Sequence, residues 1–471
     1  MAVLCPLLGA LYYGLLPELD AMRTPEIRGE IVFRKPRPSE SETDHASSDH
    51  RAAKGGWSVD WLLDRYEQVM SWEHNPWKTA PVGFGAGYWQ LLASKDPKDQ
   101  ARARELPRLA EALHRRVLER YPELAAPDKN VPPERNGFLK WLEFAERFEG
   151  GSPKGSKSLP IPEVLIQHLS LDAPWDSAAA KTWLTEEKTL IDEIRAIGLL
   201  PEQSITGIDV DRYAFIPARL AKGAAEALLL DARLAAGEGD VSRALESVQA
   251  AKGIATHLGN VETPSLLAVT VQILVDLQVN SYALSEIVPA LPPGQLEPAA
   301  WENVLRPTVS APDEYARIMK GEWNVTARQY LLPMLCDTAD PKYPPDPDAL
   351  IDQHAGYFTK IVQAYEGHTV SEWPDIAVPN IPDDSYLSRS SRQLTAQLFI
   401  GERAWSKSLL RAQSATAMTR AAFAVMKGEP LPPDHIHGLP YRWDPATRTL
   451  SAPDSPVFEE MALKPLVVQQ P

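Results

Sequence analysis

The sequence predicts a mostly α-helical protein, built of antiparallel helix pairs and closed by a small C-terminal β-hairpin. Three observations lead there. Apolar residues recur at i, i+3, i+4 and i+7 through most of the 471 residues, which is the helical period. Proline, at 43 residues, is close to double its usual share of roughly 5%, and its clusters fall between the periodic stretches, as connectors. Period-two alternation is confined to the C-terminal 438–453, apart from a short candidate at Glu30–Phe33.

Taken in order, Trp57, Trp61, Leu62, Tyr66, Val69 and Met70 form a first helical stripe, with Ser58 as its cap. Leu106, Leu109, Ala110, Leu113, Val117 and Tyr121 form a second, and Asn136 caps a third helix carrying Phe138, Leu142, Phe144 and Ala145. Residues 151–162, rich in Gly, Ser, Lys and Pro, read as the linker between two helical parts, 57–150 and 163–428. Beyond it, Asp176 caps a run to about Ile197, and another helix covers about 211–236. Gly237–Asp240 breaks that helix, Asp240 caps the next, and Ala244 and Leu245 restart the apolar face, which makes an antiparallel pair. Ala225, Leu228, Leu229, Ala232, Leu245 and Val248 are its expected buried face. A further helix follows Thr263, with Pro264 in its first turn. Others are expected at 313–335, 347–366 and 386–427. The Pro-rich tail, 429–471, holds the hairpin: 440–443 pairs with 448–451 around Asp444–Thr447, with Trp443 largely buried on the 386–427 helix.

Composition excludes several classes. With 48 Lys and Arg against 63 Asp and Glu, the net charge of −15 is wrong for a phosphate-backbone binder, so no nucleic-acid partner is expected. Two cysteines, Cys5 and Cys336, make no disulfide framework, and without a CxxC neither thiol redox chemistry nor a zinc ribbon is indicated. The first 16 residues are uncharged and mostly apolar, and residues 1–22 read as a signal or short membrane anchor, followed by a tether over 23–56. A buried N-terminal helix and a lipoprotein signal at Cys5 are the competing readings of the same stretch.

Two resemblances follow from these residues. The string 225–259, with its alanines, its Gly-Asp turn and the Ala244–Leu245 restart, resembles a tetratricopeptide (TPR) helix pair and implies a TPR-like α-α array. The overall layout also resembles a group of uncharacterised exported or membrane-anchored helical proteins of large-genome bacteria. The elements carrying that likeness are the apolar start, the tether, Asn136 opening a helix, ALLLDARLAAGEGD, and the Ala-rich 412–426 leading into LPPDHIHGLPYRWD. It implies an extracytoplasmic location and carries over no catalytic residue.

The possible chemical motifs are incomplete. GFGAG at 83–87 lacks the spacing of a dinucleotide loop and follows no strand. Residues 150–158 approach a P-loop, but Ser156 separates Gly155 from Lys157 and Pro153 removes an N–H donor. Asp209 and Asp211 offer too few oxygens for calcium, so Asp211 reads as a cap. Asp434, His435 and His437 are the densest ligand cluster, but zinc would need a further ligand, and both histidines are expected exposed and metal-free. Trp57, Trp61, Trp72, Trp77 and Trp89, beside Asp60, Asp64, Glu67 and Glu73, would suit a sugar site, although a helix with one core face explains them too. Glu186, Glu187, Asp192 and Glu193 read as a solvated helix surface. No catalytic, cofactor or metal residue is therefore assigned. The expected protein is an extracytoplasmic helical scaffold or binding protein with a protein partner and possible membrane association through residues 1–16. The alternatives are a glycan- or peptide-directed hydrolase with carboxylates in a helical cleft, and a structural, cytoplasmic subunit of a larger complex.

Overall fold

The computed structural model describes residues 94–149, 159–170, 173–209, 213, 218–308, 314–328, 347–368, 372–373, 376–377, 402–434, 437–456, 458, 463 and 465–468. All of them lie in the unit formed by residues 80–471. Twelve α-helices and one small antiparallel sheet make up this part of the chain. In chain order the helices are α1 (Pro97–Arg120), α2 (Gly137–Glu149), α3 (Glu163–Leu169), α4 (Ser177–Glu186), α5 (Lys188–Gly198), α6 (Ala218–Glu238), α7 (Val241–Gly259), α8 (Leu266–Tyr282), α9 (Pro298–Val304), α10 (Glu314–Thr326), α11 (Pro347–Tyr365) and α12 (Glu402–Lys427).

Side chains set the starts of these helices. Asp96 accepts the Lys98 N–H at 2.8 Å to open α1, with Pro97 inside the first turn. Asp176 accepts from Ala179 N at 2.9 Å and Asp240 from Arg243 N at 3.1 Å, both as the sequence indicates. Asn136 caps α2 by accepting from Leu139 N at 3.2 Å. The same side chain also accepts from Ser204 N and donates to Ser204 O, which ties α2 to the loop before α6. Phe138, Leu142, Phe144 and Ala145 are buried as expected.

Two helix boundaries differ from expectation. The run from Asp176 is broken at Glu187 into α4 and α5. The break allows Trp183 and Leu184 on one side and Ile191 and Ile194 on the other all to face the core. Pro264 lies before α8, because Ser265 takes the cap: its hydroxyl accepts from Ala268 N at 3.2 Å.

The centre of the unit is α6. From Leu220 to Ala236 every residue except Arg233 is buried. Its antiparallel partner α7 follows after Gly239, whose φ of 81° gives the left-handed stop that glycine tolerates. Ala225, Leu228, Leu229, Ala232 and Val248 are fully buried, whereas Leu245 is half-buried and Ala244 takes the inner position beside it. Complete burial of each leucine contributes about 1.5–3 kcal/mol.

From this pair the packing continues outward. Helix α7 contacts α5 on one side and α8 on the other, α8 contacts α10 and α12, and α10 contacts α11. The α5–α7 crossing is close because it joins Gly198 to Gly253 and Ala250: a methyl group on Gly253 would overlap the Gly198 carbonyl. Helix α8 and the turns after it, Leu266–Ala290, are long and apolar enough to span a membrane, with mean hydropathy 1.3 in the most apolar stretch, but two-thirds of that stretch is buried in the protein.

The C-terminal hairpin is present and carries a third strand. β1 (Arg442–Asp444) pairs antiparallel with β2 (Thr449–Ser451) in the register Arg442–Ser451, Trp443–Leu450, Asp444–Thr449. β3 (Leu466–Val467) adds to β2. The loop therefore starts one residue later than the sequence suggests. Asp444 sustains it by accepting from Ala446 N and the Thr447 hydroxyl. β2 rests on α12, but the anchors are Tyr441 and Leu450, at 5% and 0% exposure; Trp443 is only half-buried. Tyr441 and Trp443 share a face across the pleat, and Tyr441 is the more deeply buried of the two.

Candidate functional site

Helix α8 is apolar along most of its length but carries Gln272, Asp276 and Asn280, four residues apart and therefore on one face. All three are buried, at 0%, 4% and 3% exposure, against α7. There Lys252 forms an ion pair with Asp276 and donates to Asn280 Oδ1 at 3.1 Å. One turn before Asp276, Gln272 Nε2 donates to Asn260 Oδ1 at 3.0 Å. Asn260 in turn donates to the Thr308 carbonyl at 3.1 Å. Arg317 of α10 binds the Val261 carbonyl and Glu314 and reaches Asn260 Oδ1 at 3.4 Å. A continuous polar seam thus runs through the core from α8 across α7 to α10. Its fit depends on Gly259, where any side chain would overlap the Gln272 amide.

Electrostatics along the seam follow burial. Desolvation lowers the Lys252 pKa against the pull of Asp276, and desolvation raises that of Asp276 against Lys252 and Thr308. Glu314 is likewise raised by burial, opposed by Arg317. Solvent approaches the pair through a cleft lined by Ile273, Asp276, Leu277, Pro307, Ala412, Gln413 and Thr416. Its free volume of about 10 Å³ has room for about one water, which is far too small for a substrate.

A second buried charge lies at the α5–α6–α7 junction. Asp231, 1% exposed, accepts from Arg195 Nη2 at 2.8 Å, Arg243 Nε at 3.1 Å and the Ser247 hydroxyl at 2.6 Å. The hydrogen bond to Asp231 raises the Arg243 pKa. Two guanidinium groups and a hydroxyl thus saturate this carboxylate.

The third cluster surrounds the π-helical turn Ala283–Ile287 that ends α8. His168 of α3 is buried, with Nδ1 3.1 Å from the Ala173 carbonyl. A carbonyl only accepts, so Nδ1 is the donor in that contact, and Nε2 lies 3.8 Å from Glu286. Trp175 and Tyr282 pack on the same imidazole at 5.0 and 5.7 Å between ring centroids. The Arg233 guanidinium lies 5.1 Å from the Trp175 ring and 3.7 Å from Glu286. Burial, then Glu286, pushes the Tyr282 hydroxyl well above its ordinary range. An aromatic box with one carboxylate is suited to a cation, and Arg233 already occupies it.

The residues singled out by the sequence are dispersed. Asp434 is buried and its carboxylate accepts from the backbone N–H groups of His437 and Leu439, so it holds a loop together. His437 is exposed, with its ring against Phe458. Asp209 is exposed. Asp192 pairs with Lys188 and Arg195, and Glu193 with Arg147. Residues 1–22, the Glu30–Phe33 candidate, the tryptophans at 57–89 with their carboxylates, 83–87, 150–158, Asp211, His435, Cys5 and Cys336 lie outside the described residues. Among the described residues, no group of three or more His, Cys, Asp or Glu is arranged to hold a metal ion. The polar seam escaped sequence analysis, although Gln272, Asp276 and Asn280 at helical spacing inside an apolar run were a visible signal. Comparison of the chain with protein-family models, curated proteins and solved structures finds no match.

Proposed function

We propose that this protein is a helical scaffold or binding protein that works through its outer surfaces, held outside the cytoplasm by its N-terminal segment. The carrying observation is the use made of its buried ionic groups. Lys252, Asp276 and Asp231 are each committed to partners on neighbouring helices, Glu314 is paired with Arg317 one turn along its own helix, and the cleft that reaches Asp276 admits only about one water. Buried pairs of this kind add little net stability but fix which helix lies against which. A stack whose order is fixed internally can present a constant surface to a partner. The Ala-rich α6–α7 pair supports a TPR-like character for that stack, and the apolar residues 1–16 support the location.

The test is fractionation of cells expressing the tagged chain, with and without residues 1–22, followed by surface cross-linking. The full chain should fractionate with membranes or outside the cytoplasm. The truncated chain should remain folded and soluble, and a discrete cross-linked protein should be recovered. Cytoplasmic recovery of both forms would refute the location. A pure, folded protein that hydrolyses glycans or peptides would refute the scaffold role.

A further inference from the structure

We propose that the cleft between α8 and α12 is a built site for one ordered water molecule, which links Gln413 of α12 to the buried Asp276 of α8. Three observations converge on it. The volume, about 10 Å³, is that of about one water and excludes organic ligands. Gln413 is 7% exposed and lines the cleft, and its side-chain amide nitrogen has no hydrogen-bond partner within the protein. A buried N–H left without a partner forfeits the hydrogen bond it made to water, so an acceptor is needed there. Asp276 lines the same cleft and supplies carboxylate oxygens.

A water completes this geometry. Its oxygen accepts from Gln413 Nε2, and one of its hydrogens is donated to Asp276. Its second hydrogen can go to the Thr416 hydroxyl oxygen, because that hydroxyl already donates its own hydrogen to the Ala412 carbonyl at 2.9 Å. Three hydrogen bonds are what a buried water ordinarily makes. A cation is disfavoured: the Lys252 ammonium already faces Asp276, and the Gln413 group on the other side is a donor. Ile273, Leu277, Pro307 and Ala412 supply apolar walls that leave no place for a second water. Through this molecule α12 becomes joined to the polar seam, which otherwise ends at α8.

The experiment is a high-resolution crystal structure of the full chain and of Gln413→Leu, which preserves side-chain size but not the donor. It is paired with a measurement on the unmodified protein, magnetisation transfer from long-lived bound water to the ¹⁵N-labelled glutamine side-chain amides. The expected result is one density peak within hydrogen-bond distance of Gln413 Nε2 and Asp276 in the wild type, with water transfer to the Gln413 amide. The peak should be lost or markedly weaker in Gln413→Leu. Gln413 bonded directly to a protein acceptor, a dry cleft, or a peak of unchanged strength in Gln413→Leu would each overturn the proposal. If the variant does not fold, the wild-type density and transfer decide the matter alone.

Discussion

Replacing Gly253 by alanine should destabilise the protein, although the same change in a helix ordinarily stabilises. The helical preference of alanine over glycine is worth about 1 kcal/mol in an α-helix interior. At Gly253 the added Cβ would fall far inside the 3.0 Å limit that Cβ atoms essentially never cross, and the atom it meets is the Gly198 carbonyl oxygen. That neighbour is backbone, so no side chain can swing aside. Helix α5 would have to move away from α7, drawing Arg195 off Ser247 and Asp231. Overpacking of a well-packed core costs about 1–3 kcal/mol, and a backbone clash belongs at the top of that range. The net loss should therefore be about 1–2 kcal/mol. Gly223 in α6 is the matched control: its nearest neighbour would be Leu159 Cβ at 3.5 Å, an ordinary contact. Gly223→Ala should thus gain up to about 1 kcal/mol. Urea unfolding followed by far-UV circular dichroism measures both from the shift in midpoint. Opposite signs are expected. Equal stabilisation by the two changes would refute the close crossing of α5 and α7.

Other expectations follow from the buried charges and the core. Lys252→Met should cost about 3–5 kcal/mol by stranding Asp276, and Lys252→Met with Asp276→Leu should recover most of it; additive losses in denaturant titrations would contradict a coupled pair. Leu229→Ala, at a fully buried position, should cost about 2–5 kcal/mol, and a change below about 0.5 kcal/mol would place that side chain outside the core. Burial holds His257 down at about 4 and His114 and His354 at about 3, against an ordinary 6.5. The folded pKa lies below the unfolded one, so the neutral histidines support the fold fully above pH 6.5. That support is lost as pH falls toward 4, by about 1.4 kcal/mol per pH unit for each group. His257→Gln keeps an amide that can donate to the Leu200 carbonyl and should flatten this slope between pH 6.5 and 5; an unchanged slope would show that His257 is already charged.

How much of this was legible in the sequence depends on the range of the interactions. The caps at Asn136, Asp176 and Asp240 are local, made within three residues, and the sequence showed them directly. The apolar face of α6 was equally plain, because Ala225, Leu228, Leu229 and Ala232 keep helical spacing. The break at Glu187 was not, because no glycine or proline marks it and the cause is packing on both sides. Tyr441 and Trp443 share a strand face, and alternation alone does not say which of them is buried more deeply. The polar seam was the largest omission. Its partners are 24 and 28 residues apart in the Lys252–Asp276 and Lys252–Asn280 contacts, and no local pattern ties them together.

The polar face of α8 bears on more than the folded state. By length and hydropathy the segment Leu266–Ala290 resembles a membrane-crossing helix, and in a chain exported as proposed above it would meet the insertion machinery before α10 and α12 exist. Near the middle of that segment stands Asp276. A carboxylate at the centre of a crossing helix raises the insertion cost by about 2.5–3.5 kcal/mol, enough to offset several leucines, and Gln272 and Asn280 one turn to either side add to it. On such a route the side chain that pairs with Lys252 at the end of folding would also act at the beginning, disfavouring arrest of a core helix in lipid.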